Sequence, residues 1–129
     1  MKNDIETRRI RVLVADDDLP MLAAIHRLLE SDFEIVDMVS DGRSLVEAAV
    51  RLKPDVIVSD ISMPRLNGIE AARAIRRHLP DVRIIFLTMY GHRAYRSAAV
   101  NLGVSGYLLK SSVREELKKT VRDACPISP

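Results

Sequence analysis

An α/β fold, a parallel sheet covered by helices on both faces, is the class predicted by this chain of 129 residues, on three observations. Five short apolar runs alternate with five stretches whose apolar residues recur at helical spacing. The runs are almost continuously apolar, as strands buried on both faces must be. Four of them end in residues that carry chemistry: Asp16-Asp17, Asp60, Thr88 and Lys110. If the strands are parallel with right-handed crossovers, those ends share one sheet edge, where open α/β folds place ligands.

Each element has its own signal. After a polar leader, residues 1–9, Val12-Leu13-Val14-Ala15 is the first strand; Asp16-Asp17-Asp18-Leu19-Pro20 then supplies an acidic cap and a proline suited to opening a helix. Leu22, Ile25, Leu28 and Leu29 form the apolar stripe of that helix. The second strand, about Glu34 to Val39, is less continuously apolar, as expected at a sheet edge. Its helix runs from near Gly42 to Leu52 and stops before Pro54, because the residue preceding a proline disfavours helix. Val56-Ile57-Val58-Ser59 leads to Asp60, and Ile61-Ser62-Met63-Pro64-Arg65-Leu66-Asn67-Gly68 is a punctuated loop. The next helix turns Ile69, Ala72, Ile75 and Leu79 inward and ends at Pro80-Asp81. Ile84-Ile85-Phe86-Leu87 ends in Thr88, a helix follows from about Arg93 to Leu102, and Gly103 breaks it. Tyr107-Leu108-Leu109 ends in Lys110, and Val113, Leu117, Val121 and Ala124 line the last helix. Residues 10–124 therefore form one domain and 125–129 a short tail.

Composition excludes several classes. A hydrophobic share of 47% with 29% charged residues is that of a globular protein, neither disordered nor membrane-embedded. With no spanning stretch and no signal pattern, a cytoplasmic location without membrane contact is expected. The single cysteine, Cys125, has no partner for a disulfide or a thiolate metal site and reads as a bystander in a reduced compartment. A net charge of +2 is too small to imply nucleic acid. The local basic groups, Arg73, Arg76, Arg77 and His78 on one helix and His92, Arg93 and Arg96 on the next, read as solvated helix faces. No DNA- or RNA-reading motif accompanies them.

Taken singly, the edge residues are ambiguous. Aspartate at a strand end is often only a helix cap, and Asp18 reads as one; Thr88 alone is an ordinary β-branched residue, Lys110 alone a snorkelling surface lysine, Tyr107 alone a half-buried aromatic. Together they make chemistry. Asp16, Asp17 and Asp60 at one edge repel one another unless a cation joins them, and an oxygen-rich acidic cluster suits Mg²⁺. Asp60 is the natural carboxylate nucleophile for an acyl phosphate, with Lys110 and the Thr88 hydroxyl positioned for phosphoryl oxygens.

These pieces resemble the receiver domain of two-component response regulators: Val-Leu-Val-Ala-Asp-Asp at 12–17, Ser-Asp-Ile-Ser-Met-Pro-Arg-Leu-Asn-Gly at 59–68, Leu-Thr-Met-Tyr at 87–90 and Gly-Val-Ser-Gly-Tyr-Leu-Leu-Lys at 103–110. The last two are similar to the NarL/FixJ subfamily in particular. The resemblance implies a flavodoxin-like (βα)5 fold of strand order 2-1-3-4-5 and phosphorylation of Asp60 by a sensor histidine kinase. It implies Mg²⁺ held by Asp17, Asp60 and the Ser62 carbonyl, with Asp16 acting mainly through water, and a switch made by Thr88 and Tyr107. The changed surface would be that of the fourth helix, fifth strand and fifth helix, with homodimerisation on phosphorylation as a candidate consequence. Output would be transcription through a DNA-binding domain outside this chain, with no nucleic-acid contact by the domain itself. Such a protein is a switch rather than an enzyme, its only chemistry a slow phosphorylation and dephosphorylation of itself.

Departures from the common pattern are Ser111 where many receivers carry proline or aspartate, the bulky Met89 after Thr88, and Gly91-His92-Arg93 where acidic residues are usual. Ser62 and Tyr90 flank the position of the attacking water, and Tyr90 is expected to shield the acyl phosphate. Two other readings compete. One is a receiver-like module that dimerises without phosphorylation; intact acids, Thr88 and Lys110 count against it. The other is a Mg²⁺-dependent phosphohydrolase with Asp60 as nucleophile; Ser62 stands where that class needs a second aspartate as general acid.

Overall fold

The structure, a computed structural model, describes residues 9–89, 91 and 93–125. The first eight residues of the leader, Tyr90, His92 and residues 126–129 of the tail lie outside the described residues. Among those described, strands and helices alternate: β1 Arg11–Ala15, α1 Leu19–Leu29, β2 Glu34–Val39, α2 Gly42–Leu52, β3 Val56–Asp60, α3 Gly68–His78, β4 Arg83–Thr88, α4 Arg93–Asn101, β5 Gly106–Leu109 and α5 Val113–Ala124. Lys110–Ser112 forms a short 3-10 turn between β5 and α5.

All strand pairs are parallel, in the order β2-β1-β3-β4-β5. The flavodoxin-like order implied by the resemblance is therefore the observed one, and the less apolar β2 is indeed an edge. Alternation along the strands divides the core in two. Val12, Val14, Val56, Val58, Ile85 and Leu87 pack with Leu22, Ile25 and Leu29 of α1 and with Val113, Leu117 and Val121 of α5. On the other face Leu13, Ile57, Ile84 and Phe86 meet Leu45 of α2, Ile69 and Ile75 of α3 and Ala99 of α4. Each fully buried Leu or Ile contributes about 1.5–3 kcal/mol of transfer free energy, so both helix layers are held by the sheet between them.

Helix starts are fixed by side-chain caps. Asp18, as the sequence predicts, caps α1 by accepting from the Met21 N–H at 3.5 Å. Asp41 accepts from the Ser44 N–H at 2.8 Å, and Asn67 from the Glu70 N–H at 2.9 Å. Such caps are worth about 1 kcal/mol each. The α1 cap falls two residues past Asp16, which leaves Asp16 and Asp17 in the turn at the sheet edge. α2 ends before Pro54 through Lys53, which adopts the left-handed conformation with φ of 49°.

Candidate functional site

Parallel strands of matched length deliver their C-terminal residues to one edge. β1 ends beside Asp16, β3 at Asp60, β4 at Thr88 and β5 beside Lys110. Asp16 is fully buried, Asp60 and Thr88 are 5% exposed, and Asp17 stands open to solvent. Carboxylate oxygens of Asp16, Asp17 and Asp60 lie within 4.8 Å of one another. The burial is a consequence of the fold: the carboxylates continue strands that are covered on both faces.

Lys110 is no snorkelling surface side chain. It is 8% exposed, and its Nζ lies 2.9 Å from Asp16 Oδ2, 3.2 Å from Asp16 Oδ1 and 3.2 Å from Asp60 Oδ2. One ammonium therefore faces three oxygens of two carboxylates. Desolvation, followed by the charge of Asp16, pushes the Asp60 carboxyl up to about 6, against the pull of Lys110 and the Ser62 N–H. Burial alone would pull the Lys110 ammonium down; the hydrogen bond and charge of Asp16, then Asp60, outweigh it and hold it above the ordinary lysine range.

Donor satisfaction is uneven in the cluster. Asp16 Oδ1 accepts from the Asp18 N–H at 2.9 Å, and Asp60 Oδ1 from the Ser62 N–H at 3.2 Å. Asp16 Oδ2, although close to the Lys110 ammonium, is buried with no aligned hydrogen bond. A buried carboxylate oxygen with no aligned hydrogen bond, in an all-oxygen set carrying excess negative charge, fits a hard divalent cation such as Mg²⁺. Asp17 completes the set from the solvent side.

Tyr107 lies on β5 beside Phe86 of β4, two residues before the Thr88–Leu109 pair. Its ring is half-buried, its hydroxyl is buried with no hydrogen-bond partner among the described residues, and the Arg96 guanidinium lies 4.8 Å from its ring centre. Arg96, expected on a solvated helix face, is thus a cation on an aromatic face. Sequence spacing contains no signal for that contact, because it joins α4 to β5. Met89, the residue after Thr88, is 64% exposed, and Ser111 lies within the 3-10 turn that Lys110 opens. Tyr90, expected to shield the site, lies outside the described residues.

Other expectations fare differently. Arg76 is half-buried rather than simply solvated: it donates to the carbonyls of Leu102, Gly103, Pro80 and Val82. Cys125 is half-buried at the C-cap of α5, far along the chain from the acids. No helix among the described residues is long and apolar enough to cross a membrane.

Residues 12–122 match the family model described as the response regulator receiver domain. The transcriptional regulatory protein DegU of Brevibacillus brevis is 33% identical over 124 residues, an alignment covering 95% of this chain and 52% of that protein. The chain spans about half the length of the curated relatives it matches. Among solved structures, the response regulator domain of Thermotoga maritima CheB is 33% identical with a TM-score of 0.84, covering 95% of this chain and 100% of that one. The signal receiver domain of NarL from Mycobacterium tuberculosis is 30% identical with a TM-score of 0.83, covering 89% and 94%.

Proposed function

The chain belongs to the response regulator receiver domain family, and from that premise we propose that it is a phosphoacceptor switch whose acceptor is Asp60. The observation that carries the reading is the Lys110 ammonium held 2.9 Å from Asp16 and 3.2 Å from Asp60 at a buried sheet edge. In the proposed step one carboxylate oxygen of Asp60 forms a bond to phosphorus as the bond from phosphorus to the donor's leaving group breaks, the leaving group taking the electron pair. The donor is a phosphohistidine of a sensor kinase. Asp17, Asp60 and the Ser62 carbonyl would hold Mg²⁺, with Asp16 acting chiefly through water. Bound there, the ion neutralises charge that accumulates on the phosphoryl oxygens.

Lys110, already directed at Asp60, exchanges part of its contact with the carboxylate for a phosphoryl oxygen. Thr88, the last residue of β4, donates its hydroxyl to another. That movement vacates space beside Phe86, and Tyr107 turns inward to occupy it; its buried hydroxyl has no hydrogen bond to give up among the described residues, and the ring gives up its contact with Arg96. The surface of α4, β5 and α5 changes with it, and a homodimer is one state this surface can select. Transcription is the regulated output, as the names of relatives such as DegU state for those proteins. The phosphoryl group leaves slowly by attack of water, so turnover of a substrate is not the task.

Intact mass after incubation with acetyl phosphate tests the reading. A single phosphoryl gain that requires Mg²⁺, disappears with a chelator and is absent in Asp60→Asn is expected. No gain by the wild type in any condition would overturn it and leave unphosphorylated association as the function to pursue.

A further inference from the structure

Gly42 and Gly68 each open a helix, and each lies under the backbone of the loop joining β3 to α3. A Cβ on Gly42 would stand 1.8 Å from the carbonyl oxygen of Leu66, 2.6 Å from its carbonyl carbon and 2.7 Å from its Cβ. A Cβ on Gly68 would stand 2.3 Å from the carbonyl oxygen of Asp60 and 3.0 Å from Cα of Ile61. Neither glycine has a positive φ, so the requirement is for space and not for an unusual backbone. Helices favour alanine over glycine, so only the close approach explains glycine at these positions.

The loop held between the two glycines has little freedom to give way. The Leu66 N–H donates to the Pro64 carbonyl at 2.7 Å, the Gly68 N–H to the Ile61 carbonyl at 2.7 Å, and the Gly42 N–H reaches the Pro64 carbonyl at 3.4 Å. Arg65 bends the chain with φ of 70°. Ile61 and Met63 are buried, so exposed Ser62 is held between two anchors with its N–H on Asp60 Oδ1.

We propose that Gly42 is a positioning residue for the cation and phosphoryl site: its bare Cα lets the Leu66 backbone settle on α2, and this sets the placement of the segment carrying Ser62. The inference deepens the function proposed above and rests on it for the role of Ser62. A side chain at position 42 forces Leu66 and α2 apart by about an ångström, and misplacements of that size cost about 100-fold when groups must meet a reacting centre. Gly42 lies outside the sequence segments that carry the family resemblance.

Mg²⁺ alone is the first probe and acetyl phosphate the second, applied to Gly42→Ala and to Gly106→Ala. The latter is a control at the opposite end of the sheet, where an added Cβ meets Thr120 Cγ2 at 2.7 Å and Ile85 Cγ2 at 3.3 Å. Gly42→Ala is expected to weaken Mg²⁺ affinity about tenfold or more, as loss of support behind a ligand does, and to slow phosphoryl uptake at saturating Mg²⁺. Gly106→Ala lowers the melting temperature and leaves Mg²⁺ affinity unchanged. Wild-type Mg²⁺ affinity in Gly42→Ala, or an equal loss in Gly106→Ala, overturns the proposal. If the wild type binds Mg²⁺ but takes up no phosphoryl group, the phosphoacceptor reading fails while the affinity comparison still decides the role of Gly42. Should Gly42→Ala not fold, amide shifts in a wild-type Mg²⁺ titration decide: Gly42 and Leu66 moving with Ser62 supports the proposal, and Ser62 moving while both stay silent overturns it.

Discussion

The two ends of one sheet are built on opposite principles. At the N-terminal edge, charged side chains are matched to backbone groups. Asp55 Oδ2 accepts from the Arg11 N–H at 2.8 Å, the Arg11 guanidinium donates to the Leu52 and Lys53 carbonyls, and Arg83 donates to the carbonyls of Asp81 and Ala124. Arg76 ties α3, the turn before β4 and the end of α4 together through four carbonyls. At the C-terminal edge, acids are crowded around one lysine, a carboxylate oxygen lacks an aligned donor, and Asp60 is pushed toward its protonated form. The first edge stabilises the fold. The second is left electrostatically unfinished, which is what a site awaiting a cation and a phosphoryl group requires.

Substitutions at the two edges should separate these roles. Lys110→Ala has the largest expected effect. It leaves Asp16 and Asp60 buried without their cation, costs about 3–5 kcal/mol in Mg²⁺-free buffer, and slows phosphoryl uptake by about 100-fold or more. Denaturant titration and timed intact-mass measurements check both. Arg76→Ala removes a tie at the opposite edge, with a cost of about 2–3 kcal/mol from its lost hydrogen bonds and phosphoryl uptake at the wild-type rate. If Arg76→Ala instead abolished uptake while still folded, the division of labour between the edges would be wrong.

Proton competition gives a smaller, graded effect. Because Asp60 is raised to about 6, a proton must leave it for a cation to bind, and Mg²⁺ affinity falls by up to about tenfold per pH unit below that value. Calorimetric titrations at several pH values should show this fall, with proton release on binding near pH 6. The smallest effect is at the rim: Arg96→Ala costs about 0.5–1 kcal/mol, the worth of an exposed cation–π contact. It also makes Tyr107 fluorescence respond more readily to phosphorylation by freeing the ring.

The sheet and its functional edge were legible because burial on both faces forces β1, β3 and β4 to be apolar, so a charged or hydroxyl residue ending such a run stands out. Asp16, Asp60 and Thr88 stood out in that way; Lys110 follows the shorter, half-buried β5 and was legible only beside the other three. Arg76 was not. It shares α3 with Arg73 and Arg77 and differs from them only in what it meets, including the Leu102 carbonyl 26 residues away. The Arg96 contact with Tyr107 was hidden for the same reason, since helical spacing does not say which strand edge a helix face will cover. Gly42 reads locally as an ordinary residue near a helix start; the Leu66 carbonyl that requires it belongs to another loop.

Stability of the wild type and of Asp60→Asn, each with and without Mg²⁺ at pH 7.5, tests the unfinished edge most directly. A carboxyl whose folded value is raised from 3.8 to about 6 binds its proton more tightly when folded. Its contribution therefore falls as pH rises between those values, and above pH 6 the ionised Asp60 costs up to about 3 kcal/mol. Asp60→Asn removes that cost. Asp60→Asn is expected to be the more stable protein without Mg²⁺ and to gain little from the ion, whereas the wild type gains markedly. An Asp60→Asn variant less stable than the wild type without Mg²⁺, or a wild type indifferent to Mg²⁺, would contradict it.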